Sequence, residues 1–138
     1  MSIQLSSEFY IKTMKQILIV FIGGGLGSLI RFLTTKIYAH RLSSFPFATL
    51  TANVLSCLLM GLFLGLFMQR TLLSDNLKLF FITGFCGGFS TYSTYTLETL
   101  NLYKAGNINL ALLNILINFL LCTIAILGGM YLAKVKLT

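Results

Sequence analysis

The sequence predicts an all-α integral membrane protein with four transmembrane helices, the third of which is broken in the middle of the membrane. The chain has 138 residues, of which 57% are hydrophobic and 9% are charged, whereas about a quarter of the residues in a soluble domain are charged. Its apolar residues form four runs, and a helix needs about 20 such residues to cross a bilayer. The third run is interrupted by glycines and hydroxyl residues, which are poor formers of a continuous helix.

Four spans and short connections divide the chain. The predicted spans are residues 16–38, 47–69, 77–103 and 108–133. Because the connections are short, neighbouring spans are expected to run antiparallel in one compact unit. Residues 14–138 are therefore predicted to form a single four-helix transmembrane domain, and residues 1–13 a disordered N-terminal extension.

The basic residues are arranged as anchors of membrane helices. The net charge is +7, but the ten lysines and arginines are dispersed along the chain and most of them flank apolar runs. This pattern is typical of membrane-end anchors, and it excludes nucleic acid as a partner, which would need a clustered patch. The charge bias between the two sides is weak, so the chain can insert in both orientations and pair as an antiparallel dimer. A subunit of this size is also expected to need a symmetric oligomer to enclose a pore.

The cysteines do not indicate a zinc site or an enzyme. Cys57, Cys86 and Cys122 are widely spaced in apolar surroundings, and His40 is the only histidine. Zinc sites normally combine closely spaced cysteine and histidine ligands, so buried free thiols are the expected state. No pair of nucleophile and base is visible, which argues against a catalytic function.

Residues 84–95, with the sequence GFCGGFSTYSTY, are the unusual part of the third span. Irregular backbone is tolerated at membrane depth only where it is buried in protein or lines a wet cavity. Carbonyl groups released from a broken helix can face a cation. Hydroxyls, amides and the positive edges of aromatic rings can face an anion. This stretch is therefore a candidate ion site.

Amide side chains in the second and fourth spans have two interpretations. Asn53 lies among apolar residues, so it either joins helices or donates an N–H group to a buried anion. Asn114, Asn118 and Cys122 follow one another at intervals of four, which places them on one helix face. That polar seam either joins helices or lines a path, and the two asparagines slightly favour the path.

Other polar residues of the spans are equally ambiguous. Tyr92 and Tyr95 share a helix face at a spacing of three, which is typical of core packing but also suits ring edges that face an anion. Glu98 is interpreted as an interfacial carboxylate or as a hydrogen-bond acceptor in a vestibule. Arg31 either anchors the first span or supplies a positive field at a pore mouth.

Three motifs resemble those of the Fluc/CrcB fluoride channels, and the resemblance extends over nearly all of residues 14–133. The motifs are Gly24-Gly25-x-Gly27-Ser28-x-x-Arg31-Phe32, Pro46-x-x-Thr49-Leu50-x-x-Asn53, and Gly84-Phe85-Cys86-Gly87-Gly88-Phe89-Ser90-Thr91-Tyr92-Ser93-Thr94-Tyr95 followed by Glu98. The third motif is long and ordered, so it is the most specific of the three.

The resemblance implies an antiparallel, dual-topology homodimer in the bacterial inner membrane, a multi-pass assembly in contact with lipid that lets cytoplasmic fluoride leave passively. It also implies a structural sodium ion at the dimer interface, bound by the backbone carbonyls of Gly87 and Ser90. The residues that the resemblance assigns to the fluoride pore are Asn53, Tyr92, Ser93, Thr94, Tyr95, Thr51, Asn118, Glu98 and Arg31. No covalent chemistry is implied.

The chain departs from the family pattern at several of these positions. Tyr92 and Tyr95 replace phenylalanines. The fourth span has Asn114, Asn118 and Cys122 where a tyrosine followed by serine is usual. Tyrosine keeps the positive ring edge and adds a hydroxyl, so conduction is expected to survive while selectivity or rate changes.

Two other functions compete with a channel. A proton-coupled exporter of the small multidrug resistance type also has four short spans, but it needs a carboxylate deep in the first span. The acidic residues here are Glu8, Asp75 and Glu98, none of which is in that position. A non-transporting membrane assembly subunit is the other alternative, and the break in the third span argues against it because joining helices does not require one.

Overall fold

A computed structural model describes residues 2–39, 44–69 and 74–133, and these residues are all-helical apart from turns and one break. The predicted connections at 40–46 and 70–76 lie partly outside the described residues. The helical elements are α1 (Ser2–Tyr38), α2 (Phe47–Gln69), α3 (Asp75–Lys78), a π-helical segment (Leu79–Cys86), α4 (Gly87–Phe89), α5 (Tyr92–Lys104) and α6 (Ile108–Leu132).

Three of the described helices are long and apolar enough to cross a membrane. They lie within Glu8–Tyr38, Phe47–Met68 and Ile108–Leu132, with mean hydropathies of 2.0, 2.0 and 2.5. Most large apolar side chains of α1 and α6 are exposed, as expected of surfaces that face lipid or another apolar partner. The prediction of an all-helical integral membrane protein is thereby confirmed.

The structure places residues 2–13 in α1, where the sequence predicted a disordered extension. This segment contains neither glycine nor proline, so the helix that begins in the first span can continue toward the N-terminus without a break. With 37 residues and a rise of about 1.5 Å per residue, α1 is roughly 55 Å long. That is longer than the hydrocarbon core of a bilayer, which is about 30 Å thick.

Glycines bring α1 into backbone contact with the π-helical segment. A Cβ atom at Gly23 would lie 2.6 Å from the carbonyl oxygen of Phe80, and one at Gly27 would overlap the carbonyl of Phe85. From the other side, a Cβ at Gly84 would lie 3.0 Å from the Cα of Gly23. The interpretation of the first-span glycines as a packing face is confirmed, since small residues permit such close approach.

A second glycine contact joins α2 to α6. A Cβ atom at Gly61 would overlap the carbonyl of Ile126, and one at Gly129 would overlap the carbonyl of Leu58. Asn53 bonds to Asn118 and Gly61 contacts Ile126, so residue numbers increase in the same direction along both helices and α2 and α6 run parallel. This arrangement agrees with short connections that reverse the chain between successive spans.

The third span breaks at Ser90 and Thr91, between α4 and α5 and inside the stretch where the sequence predicted a break. Ser90 (φ −75°, ψ 158°) and Thr91 (φ −150°, ψ 116°) are extended, whereas Gly87 keeps helical angles. The glycines therefore do not form the break; they permit packing on α1, as Gly88 does against the carbonyl of Gly24. The π-helical hydrogen bonding that precedes the break was not predicted.

Candidate functional site

The side chain of Asn53 forms hydrogen bonds with the backbone at the break in the third span. The backbone N–H of Thr91 donates to Asn53 Oδ1 at 2.8 Å, and Asn53 Nδ2 donates back to the carbonyl of Thr91 at 3.3 Å. Both residues are buried. Asn53 thus replaces the helical partners that the extended backbone has lost, which satisfies the requirement that buried backbone groups be hydrogen-bonded.

The break also redirects two backbone donors away from the carbonyls that they would meet in a continuous helix. Thr91 N–H would pair with the carbonyl of Gly87 but is bonded to Asn53. Thr94 N–H would pair with the carbonyl of Ser90 but donates to Thr91 Oγ1 at 3.2 Å. Gly87 is exposed and Ser90 is half-buried. The carbonyl groups of the two residues predicted to bind sodium are thus released from their helical donors.

Amide side chains extend the network from the break into the interior. Asn53 Nδ2 donates to Asn118 Oδ1 at 3.3 Å, and Asn118 Nδ2 donates to Asn114 Oδ1 at 2.9 Å. Asn114 Nδ2 donates in turn to Thr99 Oγ1 at 2.8 Å, and Thr99 donates to the carbonyl of Tyr95. Asn114 is 0% exposed. The predicted polar face of the fourth span is confirmed, and it leads back to α5.

Hydroxyl groups gather where α5 begins. Thr91 Oγ1 caps the helix by accepting the N–H of Thr94, and it lies 3.1 Å from Thr94 Oγ1 and 3.3 Å from Ser93 Oγ. Ser93 and Thr94 are exposed. A helix N-terminus carries partial positive charge and attracts anions. Thr91 was not among the predicted site residues, although threonine is one of the residues that favour a helix N-cap.

Tyr92 and Tyr95 share the face that their spacing predicted. Their ring centroids are 5.6 Å apart, with Tyr92 80% exposed and Tyr95 half-buried. They form one end of an open groove of about 480 Å³, which Thr96, Thr99 and Tyr103 also line. Both aromatic residues therefore lie on an accessible surface that continues the hydroxyl-rich beginning of α5.

The structure separates the residues predicted at the pore mouth. Thr49 Oγ1 donates to Glu98 Oε1 at 2.8 Å, while Glu98 Oε2 is buried without a hydrogen bond from any described residue. Thr51 instead lies 3.0 Å from the hydroxyl of Tyr38. Arg31 is half-buried on α1, and its place in a pore stays a prediction. Thr49 is therefore the hydrogen-bond partner of Glu98.

Comparisons with known proteins identify the family of this chain. Residues 18–130 match the family described as CrcB-like protein, Camphor Resistance (CrcB). The curated Fluoride-specific ion channel FluC of Azobacteroides pseudotrichonymphae is 43% identical over 122 residues, which cover 88% of this chain and 98% of the relative. The proteins of the same name from Flavobacterium psychrophilum and Bacteroides fragilis are 39% and 42% identical over 122 and 125 residues, with the same two coverages.

Proposed function

This chain belongs to the CrcB family, and on that premise we propose that it is a fluoride-selective channel through which cytoplasmic fluoride leaves passively. Its relatives are named fluoride-specific ion channels. It is a multi-pass membrane protein and not an enzyme. A channel also agrees better with these relatives than a proton-coupled exporter or an assembly subunit does.

In this proposal the broken third span, residues 75–104, crosses the membrane in addition to the three long apolar helices. Residues 75–89 and 92–104 are too short to span separately, but together they are longer than α2 or α6. Irregular backbone at their junction is tolerated because Asn53 satisfies it. Two copies inserted in opposite orientations would form the homodimer, consistent with the weak charge bias between the two sides.

The observation that supports conduction best is the polar network beside the break, which crosses an otherwise apolar interior. Fluoride is small and strongly hydrated, so a narrow passage must replace water with hydrogen-bond donors. The two bonds donated by Asn53 Nδ2 are 3.3 Å long, whereas the bond accepted by Oδ1 is 2.8 Å. An arriving anion can therefore compete for the Nδ2 hydrogens while the shorter bond keeps Asn53 in position.

The beginning of α5 would extend this path toward the surface. Ser93 and Thr94 present exposed hydroxyls at the positive end of the helix. The edges of Tyr92 and Tyr95 carry the positive part of the ring quadrupole, and they adjoin the same surface. Larger anions such as chloride would leave some of these donors unpaired, which favours fluoride.

The residues at the break also fit a structural sodium ion. Hard cations prefer oxygen ligands such as backbone carbonyls, and the carbonyls of Gly87 and Ser90 have lost their helical donors. The described residues contain no group of three or more His, Cys, Asp or Glu side chains suited to a metal, so carbonyls are the appropriate ligands here. When bound, the ion would be coordinated by these carbonyls and would hold the break in shape, and two copies would double the number of ligands.

Fluoride release from proteoliposomes loaded with fluoride and chloride tests the proposal. The wild type is expected to release fluoride rapidly and retain chloride, and Asn53→Ala is expected to lose release by at least about tenfold, because the break loses its partner. Ser56→Ala is the matched control, since Ser56 is buried one turn away and donates to the Cys86 carbonyl at 2.7 Å, outside the network.

Two results would contradict the proposal. If the wild type releases no fluoride although gel filtration verifies that dimers are present, a homodimeric channel is excluded. Equal loss of release in Asn53→Ala and Ser56→Ala would remove Asn53 from the path and leave it a purely structural role.

A further inference from the structure

Two thiols face each other across the parallel contact of α2 and α6. Asn53 bonds to Asn118, a separation of 65 positions, and the Gly61–Ile126 contact has the same offset, since 126 minus 61 is 65. Cys57 and Cys122 also differ by 65 (122 minus 57) and lie one turn from each of these pairs. The register of the two helices therefore places the two side chains opposite one another.

The thiols contact each other in the structure. The side chains of Cys57 and Cys122 lie close enough to interact electrostatically, and both cysteines are free and only partly buried. The glycine contact one turn away keeps the helix backbones close. Cys86 differs from this pair because it is 0% exposed on the π-helical segment and its thiol pairs with Ser56.

We propose that Cys57 and Cys122 form a two-coordinate binding site for a soft, thiophilic cation of the class of Hg(II), Ag(I) or Cu(I). Thiolate sulfur selects soft metals over Mg²⁺ or Ca²⁺. Zinc normally requires four ligands, and the described part of the chain offers no cluster of three or more His, Cys, Asp or Glu groups. Two opposed sulfurs match the linear coordination that these soft ions adopt.

Binding at this site needs no oxidant or reductant. With HgCl₂, each thiol loses its proton and two Hg–S bonds replace the two Hg–Cl bonds. Two protons and two chloride ions leave per ion bound, so metal and sulfur keep their oxidation states. A neutral complex such as HgCl₂ can approach through lipid and reach the partly exposed thiols. The bridged pair would tie α2 to α6 one turn from the Asn53–Asn118 bond.

Titration of the purified full-length protein with HgCl₂ in detergent tests the site without any transport measurement, so its result does not depend on the fluoride proposal. Binding is followed by the ultraviolet charge-transfer absorbance of the Hg–S bond and by proton release. The wild type and the matched control Cys86→Ser are expected to bind one ion per chain with release of two protons. Cys57→Ser and Cys122→Ser are expected to bind at least about tenfold more weakly and release one proton.

A measurement on the wild type alone covers the case in which a serine variant fails to fold. One equivalent of HgCl₂ should protect Cys57 and Cys122 together from a maleimide, as mapped by mass spectrometry of peptides. The proposal is wrong if the two single variants bind as tightly as the wild type, if Cys86→Ser abolishes binding, or if mercury protects only one cysteine of the pair.

Discussion

Two helix contacts of this protein depend on opposite chemistry. Where α1 meets the π-helical segment, glycines bring the two backbones together, and any added Cβ at Gly27 overlaps the carbonyl of Phe85. Where α2, α5 and α6 meet, amides and hydroxyls join the helices through bonds of 2.8 to 3.3 Å. The first contact leaves no room for an ion, whereas the second can exchange partners. We therefore expect the glycine contact to determine folding and the amide network to determine conduction.

The largest effect is expected from Gly27→Ala. The new methyl would meet backbone atoms of Phe85, which cannot move away as a flexible side chain can, so α1 must shift from the π-helical segment. Overpacking of this kind costs about 3 kcal/mol or more. Loss of folded protein on gel filtration after stepwise heating measures it.

Gly25→Ala is the control for this substitution, because no atom lies within 4 Å of the position of its new Cβ. It should behave as the wild type. Equal thermal stability of Gly27→Ala and Gly25→Ala would show that the glycine contact is not required for folding, and the contrast between the two contacts would fail.

The second effect concerns conduction. Asn114→Leu removes the side-chain acceptor of Asn118 Nδ2, which keeps only the backbone carbonyl of residue 114, and it removes the donor to Thr99. Loss of these hydrogen bonds costs about 1–3 kcal/mol. We expect fluoride release from proteoliposomes to fall by about tenfold, equivalent to about 1.4 kcal/mol in the barrier. The fraction of folded protein should change much less than in Gly27→Ala.

Thr123→Val is the control for Asn114→Leu. Thr123 lies on the same helix, but it is exposed and its hydroxyl donates only within α6, to the carbonyl of Phe119. If the rate of fluoride release is unchanged in Asn114→Leu, or falls equally in Thr123→Val, the amide network does not determine conduction.

The same contrast explains which features the sequence could predict. The predicted span 47–69 coincides with α2 (Phe47–Gln69), and the predicted span 108–133 ends one residue after α6 (Ile108–Leu132). These bounds depend on local composition, since charged and turn residues end each apolar run. The spacing of Asn114 and Asn118 on one face is a local property as well, because helix geometry determines it.

Features that depend on a second helix were not predictable in the same way. Residues 84–95 indicated a break, but its position at Ser90 and Thr91 depends on Asn53 from α2. The pairing of Glu98 with Thr49 depends on the rotation of α2 relative to α5. The π-helical segment is associated with the glycine contact to α1, for which the sequence of the third span alone carries no signal.

A smaller effect is expected where α5 begins. Thr91→Val removes the capping oxygen that accepts the N–H of Thr94, and loss of an N-cap costs about 1 kcal/mol. Both thermal stability and fluoride release should fall modestly. Thr96→Val is the control, because Thr96 is exposed and its hydroxyl donates to the Tyr92 carbonyl within α5. Identical behaviour of the two variants would mean that the hydroxyl cluster does not support the break.

The smallest effect is expected at Tyr92 and tests whether its hydroxyl or its ring edge contributes to conduction. Tyr92 is 80% exposed and its ring lies 5.6 Å from that of Tyr95. Tyr92→Phe keeps the positive ring edge, so release should stay within about twofold of the wild type. Tyr92→Leu keeps an apolar side chain without that edge and should be slower. If Tyr92→Phe is as slow as Tyr92→Leu, the hydroxyl rather than the ring edge interacts with the anion, and the conduction path includes one more donor than the amide network supplies.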